Sequence, residues 1–218
     1  MLPPGERQTF GTVIHHHKIF TSPLRLKKQA SRRVKMGFLR MTDMAHLFLA
    51  QYVQEGDTVI DATAGNGYDT LFLAQKVGDA GIVHAFDVQR EAIENTRERL
   101  KDHNLSHRVR LHHTTHTDIS KLNTPVKAVV FNLGYLPGSD REIVTQGATT
   151  CEAVAAALSL LQSGGAVVIV LYRGHAGGEQ EAADVEAYVS QLSHSSYVVS
   201  KYAHINAPPT SPYILLIV

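Results

Sequence analysis

Ten consecutive residues, Asp61-Ala62-Thr63-Ala64-Gly65-Asn66-Gly67-Tyr68-Asp69-Thr70, have the types and spacing of a ligand cradle. The apolar run Thr58-Val59-Ile60 precedes them and Leu71-Phe72-Leu73-Ala74 follows, the pattern of a strand, a glycine loop and a helix. Gly65 and Gly67 would let backbone pass close beneath a ligand where a Cβ would collide. A dinucleotide loop carries a third glycine and aims a helix N-terminus at pyrophosphate. Here Thr70 stands in the third position, and Asp61 and Asp69 would repel a pyrophosphate. They suit a ligand with a cationic amino group and no phosphates, which favours S-adenosylmethionine over NAD. Asp87 closes the next strand-like run, Ile82 to Phe86, where a carboxylate can accept from both hydroxyls of a ribose. Its bland alternative is an N-cap for the following helix. Gln89 follows within reach of the same sugar or the adenine. The third strand-like run ends in His112-His113-Thr114-Thr115-His116-Thr117-Asp118, of which Thr115 and His116 are the expected adenine contacts, with Asp118 in reserve.

Two later motifs bear on the acceptor. Val126–Phe131 leads into Asn132-Leu133-Gly134-Tyr135-Leu136-Pro137-Gly138. The Asn132 side-chain oxygen and the Leu133 backbone carbonyl could accept hydrogen bonds from an amine and aim its lone pair, with Gly134 beside them and the Tyr135 ring packed on a nucleobase. The alternative is a turn that happens to contain Asn. The fifth strand-like run ends in Tyr172-Arg173-Gly174-His175-Ala176-Gly177-Gly178. Arg173 is expected to hold a phosphate or base edge, and His175 to take the ammonium proton.

These motifs need elements to hold them. Strand-like runs recur at Thr58–Ala62, Ile82–Asp87, Arg108–His112, Lys127–Leu133, Ala166–Tyr172, Tyr197–Ala203 and Tyr213–Val218. Helical patterns lie between them at Thr42–Val53, Tyr68–Val77, Arg90–Lys101, Thr145–Gln162 and Gly178–Leu192. Thr42 or Asp43 could cap the first helix, and Gly164-Gly165 could stop the fourth as a glycine C-cap. Alternation of strands and helices means an α/β fold with a mostly parallel sheet covered on both faces. The last two strands are joined by Asn206-Ala207-Pro208-Pro209, too short for a crossover helix, so they must pair as an antiparallel hairpin. Seven strands ending in such a hairpin is the Rossmann-like layout of class I methyltransferases.

A chain of 218 residues suits one such domain. No run reaches the roughly 18 apolar residues of a membrane helix. The single cysteine, Cys151, precludes an intramolecular disulfide and suits a reducing, cytoplasmic setting. Thirteen histidines lack the usual zinc spacings, so no metal is expected. Residues 1–40 carry a net +8 and the remainder −7. A basic arm on an acidic body suits a polyanion such as RNA. A solvated arm or an organelle transit segment are the alternatives. The organisation expected is a basic arm over residues 1–36 and a methyltransferase domain over 37–218, with a homodimer left open.

The sequences D-A-T-A-G-N-G-Y-D-T-L-F-L-A, F-N-L-G-Y-L-P-G-S-D and Y-R-G-H-A-G-G resemble those of the bacterial tRNA wobble-uridine methyltransferases (MnmM), a family formerly described as rRNA methylases. The similarity runs from about Met36 to the C-terminus. It implies N-methylation of the 5-aminomethyl group of wobble 2-thiouridine to 5-methylaminomethyl, with S-adenosylmethionine as methyl donor and the tRNA anticodon region as partner. By matching positions it implies Asn66, Tyr68, Asp87, Gln89, Thr115 and His116 as cofactor residues, although Tyr68 departs from the Asn or His of the pattern. The expected catalytic set is Asn132, Tyr135 and His175, with Leu133, Gly134 and Arg173 binding substrate. The competing readings are a methyltransferase for a small-molecule or protein amine, one for rRNA, a nicotinamide oxidoreductase, and a non-catalytic RNA-binding protein.

Overall fold

Residues 39–134 and 147–218 are described by a computed structural model. The arm of residues 1–36 and Tyr135 lie outside them. The described chain runs α1 (Met41–Tyr52), β1 (Thr58–Asp61), α2 (Tyr68–Val77), β2 (Ile82–Asp87), α3 (Arg90–Asp102), β3 (Val109–His113), β4 (Val126–Leu133), α4 (Gly147–Leu160), β5 (Leu161–Leu171), α5 (Gly178–Val189), β6 (Val199–Tyr202) and β7 (Tyr213–Ile217), with short 3-10 turns at Ser106–Arg108 and His116–Lys121. One seven-stranded sheet has the order β3-β2-β1-β4-β5-β7-β6. Its first five strands are parallel, and β7 is antiparallel to both β5 and β6. This is the class I methyltransferase fold with its C-terminal hairpin, as the element pattern required.

The apolar runs of β4 and β5 are buried on both faces, and their period of two sorts them into separate cores. Val129, Phe131, Leu133, Val167, Ile169 and Leu171 join one cluster with residues of α4 and α5. Ala128, Val130, Val168 and Val170 join the other, with residues of α1 and α2. Each fully buried Val, Leu, Ile or Phe contributes roughly 1.5–3 kcal/mol relative to exposure. The parity also aims the site: Asn132 alternates with Phe131 and Leu133, so it shares the face of Val130, on the side of α1 and α2. Because β1 pairs with β2 on one side and β4 on the other, the order reverses between β1 and β4. The carboxyl ends of the strands open a crevice there.

Three local expectations are corrected. The fourth helix does not run to Gln162: α4 ends at Leu160, and Leu161 pairs with Val126 at the start of β5. Gly164 (φ +66°) and Gly165 serve that strand, since a Cβ on Gly165 would lie 2.6 Å from the Lys127 carbonyl oxygen. Neither Thr42 nor Asp43 is the cap of α1. Arg40 occupies that position, and Asp43 reaches back to accept its backbone N–H at 3.1 Å and its guanidinium at 3.0–3.1 Å. Gly67 (φ +76°) makes room for protein rather than ligand, because its Cβ would meet Thr96 Cα of α3 at 2.8 Å.

Candidate active site

At the carboxyl ends of the strands lies a cleft of about 1320 Å³, lined by α1, the loop after β1, the ends of β2 and β4, and the β6–β7 connection. The loop after β1 is tied down at several points. The Asp61 carboxylate, fully buried, accepts from Thr63 N–H at 3.1 Å and from the Thr70 hydroxyl at 2.5 Å. Thr96 donates to the Gly65 carbonyl at 3.1 Å, and Arg99 to the Asn66 carbonyl at 2.6 Å. The Arg99 guanidinium lies 3.7 Å over the Tyr68 ring, itself 62% exposed at the cleft mouth.

Asp87 ends β2 with both oxygens tied to backbone: Oδ2 accepts from Gly65 N–H and Oδ1 from Gln89 N–H, both at 2.9 Å. The N-cap of α3 is Gln89. A carboxylate offers about four acceptor sites, so these backbone contacts leave acceptor capacity for a ribose hydroxyl. Burial pushes the Asp87 carboxyl above the usual carboxylate range, against the lowering effect of the Gln89, Gly65 and Val88 N–H donors and of nearby His113. Thr115 and His116 line the cleft from the turn after β3. His116 is buried, its ring edge-on to Phe131 at 6.2 Å, and its Nε2 has no hydrogen-bond partner among the described residues. Burial lowers its pKa, so the ring stands neutral. Asp118 is occupied with Thr114 and Lys121, and His113 donates to the Val88 carbonyl at 3.0 Å.

On the opposite wall, Asn132 N–H donates to the Thr63 hydroxyl at 2.7 Å, and its side-chain Nδ2 donates to Asp69 Oδ2 at 2.9 Å. The other Asp69 oxygen accepts from His46 Nε2 at 2.6 Å, and the His46 ring stacks on Phe72 at 4.0 Å with 2° between planes. With its NH2 end committed to a carboxylate, the Asn132 amide has its oxygen as the acceptor left for a ligand.

Residues 83–218 match the family model described as "Putative rRNA methylase". The tRNA (mnm5s2U34)-methyltransferase, chloroplastic, of Arabidopsis thaliana is 37% identical over 210 residues, 91% of this chain and 76% of the plant protein. The chain belongs to this methyltransferase family. A crystal structure from Clostridium thermocellum under the same rRNA-methylase description superposes with a TM-score of 0.81 at 40% identity, covering 83% of this chain and 97% of that one. One from Streptococcus mutans, in complex with SAH, superposes at 0.75 with 36% identity, covering 83% and 98%.

In this methyltransferase the structure brings Gly65, Asn66, Tyr68, Asp87, Gln89, Thr115, His116, Asn132, Leu133 and Gly134 to one cleft. Gly67 is set back against α3. The Leu133 side chain is buried in the core, so only its backbone can face a substrate. Arg173 and His175 are not among the lining residues. Arg173 instead donates to the Ser211 carbonyl at 3.1 Å and lies 5.2 Å over the Tyr213 ring, holding the connection that supplies Ser211 and Pro212 to the rim. His175 packs beside Gly178 and Gly134. The expected pairing of acids around the loop is also revised: Asp61 is walled off, and Asp69 is the carboxylate that faces the cleft. Sequence reasoning missed His46. Its single signal was a histidine on the helix before the glycine loop, and nothing in its spacing linked it to Asp69. Among the described residues, no three His, Cys, Asp or Glu side chains gather as a metal site, and no helix is long and apolar enough to cross a membrane.

Burial, and next the charge of Asp69, push the Asp61 carboxyl from 3.8 up to about 7. A raised carboxyl pKa means that the folded state holds the proton more tightly than the unfolded chain. Stability is therefore lost as pH rises from the ordinary value toward 7, and the penalty is complete above it. Asp61→Asn keeps an acceptor and removes the charge. Its stability relative to the parent, read by urea unfolding, should climb between pH 4 and 7 by at most about 1.4 kcal/mol per pH unit, and be flat outside that window. A difference independent of pH would contradict the assignment.

Proposed function

We propose that the enzyme transfers a methyl group from S-adenosylmethionine to the primary amine of 5-aminomethyl-(2-thio)uridine at the tRNA wobble position. The observation that carries this reading is the Asn132 amide, pinned by its nitrogen to Asp69 so that its oxygen is offered to a ligand amine. The tRNA (mnm5s2U34)-methyltransferase activity for which the Arabidopsis relative is named supports the acceptor, and the SAH complex of the Streptococcus mutans structure supports the methyl donor. The cleft fits that donor on its own terms. Asp87 at the end of β2 keeps acceptor capacity for ribose hydroxyls, and the buried His116 Nε2 stands in the wall where the adenine is expected. When bound, the cofactor supplies an electrophilic methyl group on a cationic sulfur.

The residues supply positioning. An alkyl amine has a pKa near 10 in water, and only its neutral form can attack. Asn132 Oδ1 and the Leu133 carbonyl accept the amine N–H groups and leave its lone pair directed across the cleft. The amine lone pair forms the new N–C bond as the C–S bond breaks, with sulfur keeping that electron pair. The product ammonium then releases one proton to water. Rate comes from in-line alignment, which can supply several kcal/mol of the barrier. Tyr135 remains proposed for base packing. Cofactor contacts are assigned to Gly65, Asn66, Tyr68, Asp87, Gln89, Thr115 and His116.

Residues 1–36, strongly basic, suit contact with the tRNA backbone. They also suit an organelle transit segment, in keeping with the chloroplastic plant relative; otherwise the enzyme is cytoplasmic. Incubation with methyl-labelled S-adenosylmethionine and tRNA lacking the terminal methyl should place label in tRNA, and digestion should recover it as 5-methylaminomethyl-2-thiouridine. Label appearing in a small amine or in rRNA, and none in tRNA, would overturn the acceptor.

A further inference from the structure

We propose that Asp69, held by His46, is a positioning residue that decides which end of the Asn132 amide faces the methyl acceptor; this rests on the N-methylation reading above. The two ends of a side-chain amide are nearly alike in shape and opposite in function. An NH2 end turned to the acceptor would donate to the amine lone pair, the electrons needed for attack. An oxygen end accepts an amine N–H and leaves that pair free to react. The choice between them is made behind Asn132. An ionised carboxylate can only accept, so Asp69 Oδ2, 2.9 Å from Asn132, selects the nitrogen.

Asp69 is itself well fixed. It is 7% exposed, its second oxygen takes the His46 N–H at 2.6 Å, and the His46 ring lies flat on Phe72. Thr63 holds the Asn132 backbone at 2.7 Å, so the side chain rotates about a fixed root. Residues from α1, the start of α2 and the end of β4 thus form one line, His46–Asp69–Asn132, that ends at the acceptor.

A polarity swap tests this. Asp69→Asn lets position 69 donate, frees the amide to turn, and should lower kcat about 100-fold at saturating cofactor, the scale of a misaligned attack, with KM for tRNA within about threefold; SAH affinity is measured alongside, because Asp69 also lines the cofactor cleft. Asn132→Asp sets two carboxylates face to face and should lose a similar factor. The double variant D69N/N132D restores one donor facing one acceptor and should recover at least about tenfold over either single change. His46→Phe keeps the stack on Phe72, drops the N–H and should cost about tenfold in kcat, one charge-assisted hydrogen bond. Calorimetry with SAH and melting curves show which variants remain folded. A D69N enzyme within threefold of the parent would overturn the proposal, as would a folded, SAH-binding double variant no better than the singles. If the parent itself failed to methylate tRNA, the functional reading alone would fall. The positioning role would still be decided by NMR: the Asn132 side-chain N–H protons should exchange at least about tenfold faster in Asp69→Ala than in the parent, and equal exchange would overturn it.

Discussion

Asp87→Ala should abolish measurable cofactor binding. The carboxylate is positioned to accept two hydroxyl hydrogen bonds while it fastens Gly65 and Gln89 through their N–H groups. Each charge-assisted bond contributes about 1.5–3 kcal/mol, so the loss of two weakens binding by roughly 10²–10⁴-fold. Release of the Gly65 and Gln89 backbones adds to that. Calorimetry with S-adenosylhomocysteine measures the effect directly, and a melting curve separates it from unfolding. Asp87→Asn, which keeps one oxygen, should fall between the two. The pKa of Asp87 adds an independent signature. Burial holds it above the usual carboxylate range, so affinity should fall on acidification sooner than an ordinary aspartate would dictate. Tight binding by the alanine variant would remove Asp87 from the cofactor site.

Asn132→Ala should separate chemistry from binding. Its amide oxygen is assigned to the acceptor amine and to nothing in the cofactor, so SAH affinity should change by less than about threefold while kcat falls by about 100-fold. The variant also strands a hydrogen-bonding site of the Asp69 carboxylate, at a cost in stability of about 1–3 kcal/mol. Single-turnover transfer to undermethylated tRNA, measured well below the melting temperature, reads the chemical step. An unchanged rate would mean that the acceptor is held elsewhere in the cleft.

Much of this was legible in the chain. Strand and glycine-loop positions followed from local pattern, because a near-continuous apolar run such as Val126–Leu133 reads as a strand buried on both faces, as in a sheet covered by helices on either side. The class I topology followed from the missing crossover between β6 and β7. The fourth helix was misjudged at its end because Leu161 is as good in a helix as in a strand, and its pairing with Val126 decided between them. Gly67 was given to the ligand because a glycine's neighbour cannot be known before α3 is packed; that neighbour is Thr96. Arg173 was likewise given to substrate because a cation after a strand points to the crevice in general. Here the Ser211 carbonyl and the Tyr213 ring, nearly forty residues later, claim it.

By itself the amino-acid sequence determined the kind of fold, the family, and the places of Asp87 and Asn132 at the ends of their strands. These depend on residues adjacent along the chain, on alternation, and on loop length, which are local properties. Only the tertiary structure decided what Asn132 does. Its parity on β4 turns it toward α1 and α2, and the packing of those helices delivers Asp69 from 63 residues away and His46 behind it. A hydrogen bond between groups so far apart depends on the pairing of β1 with β4, which no local window of the sequence around either residue contains.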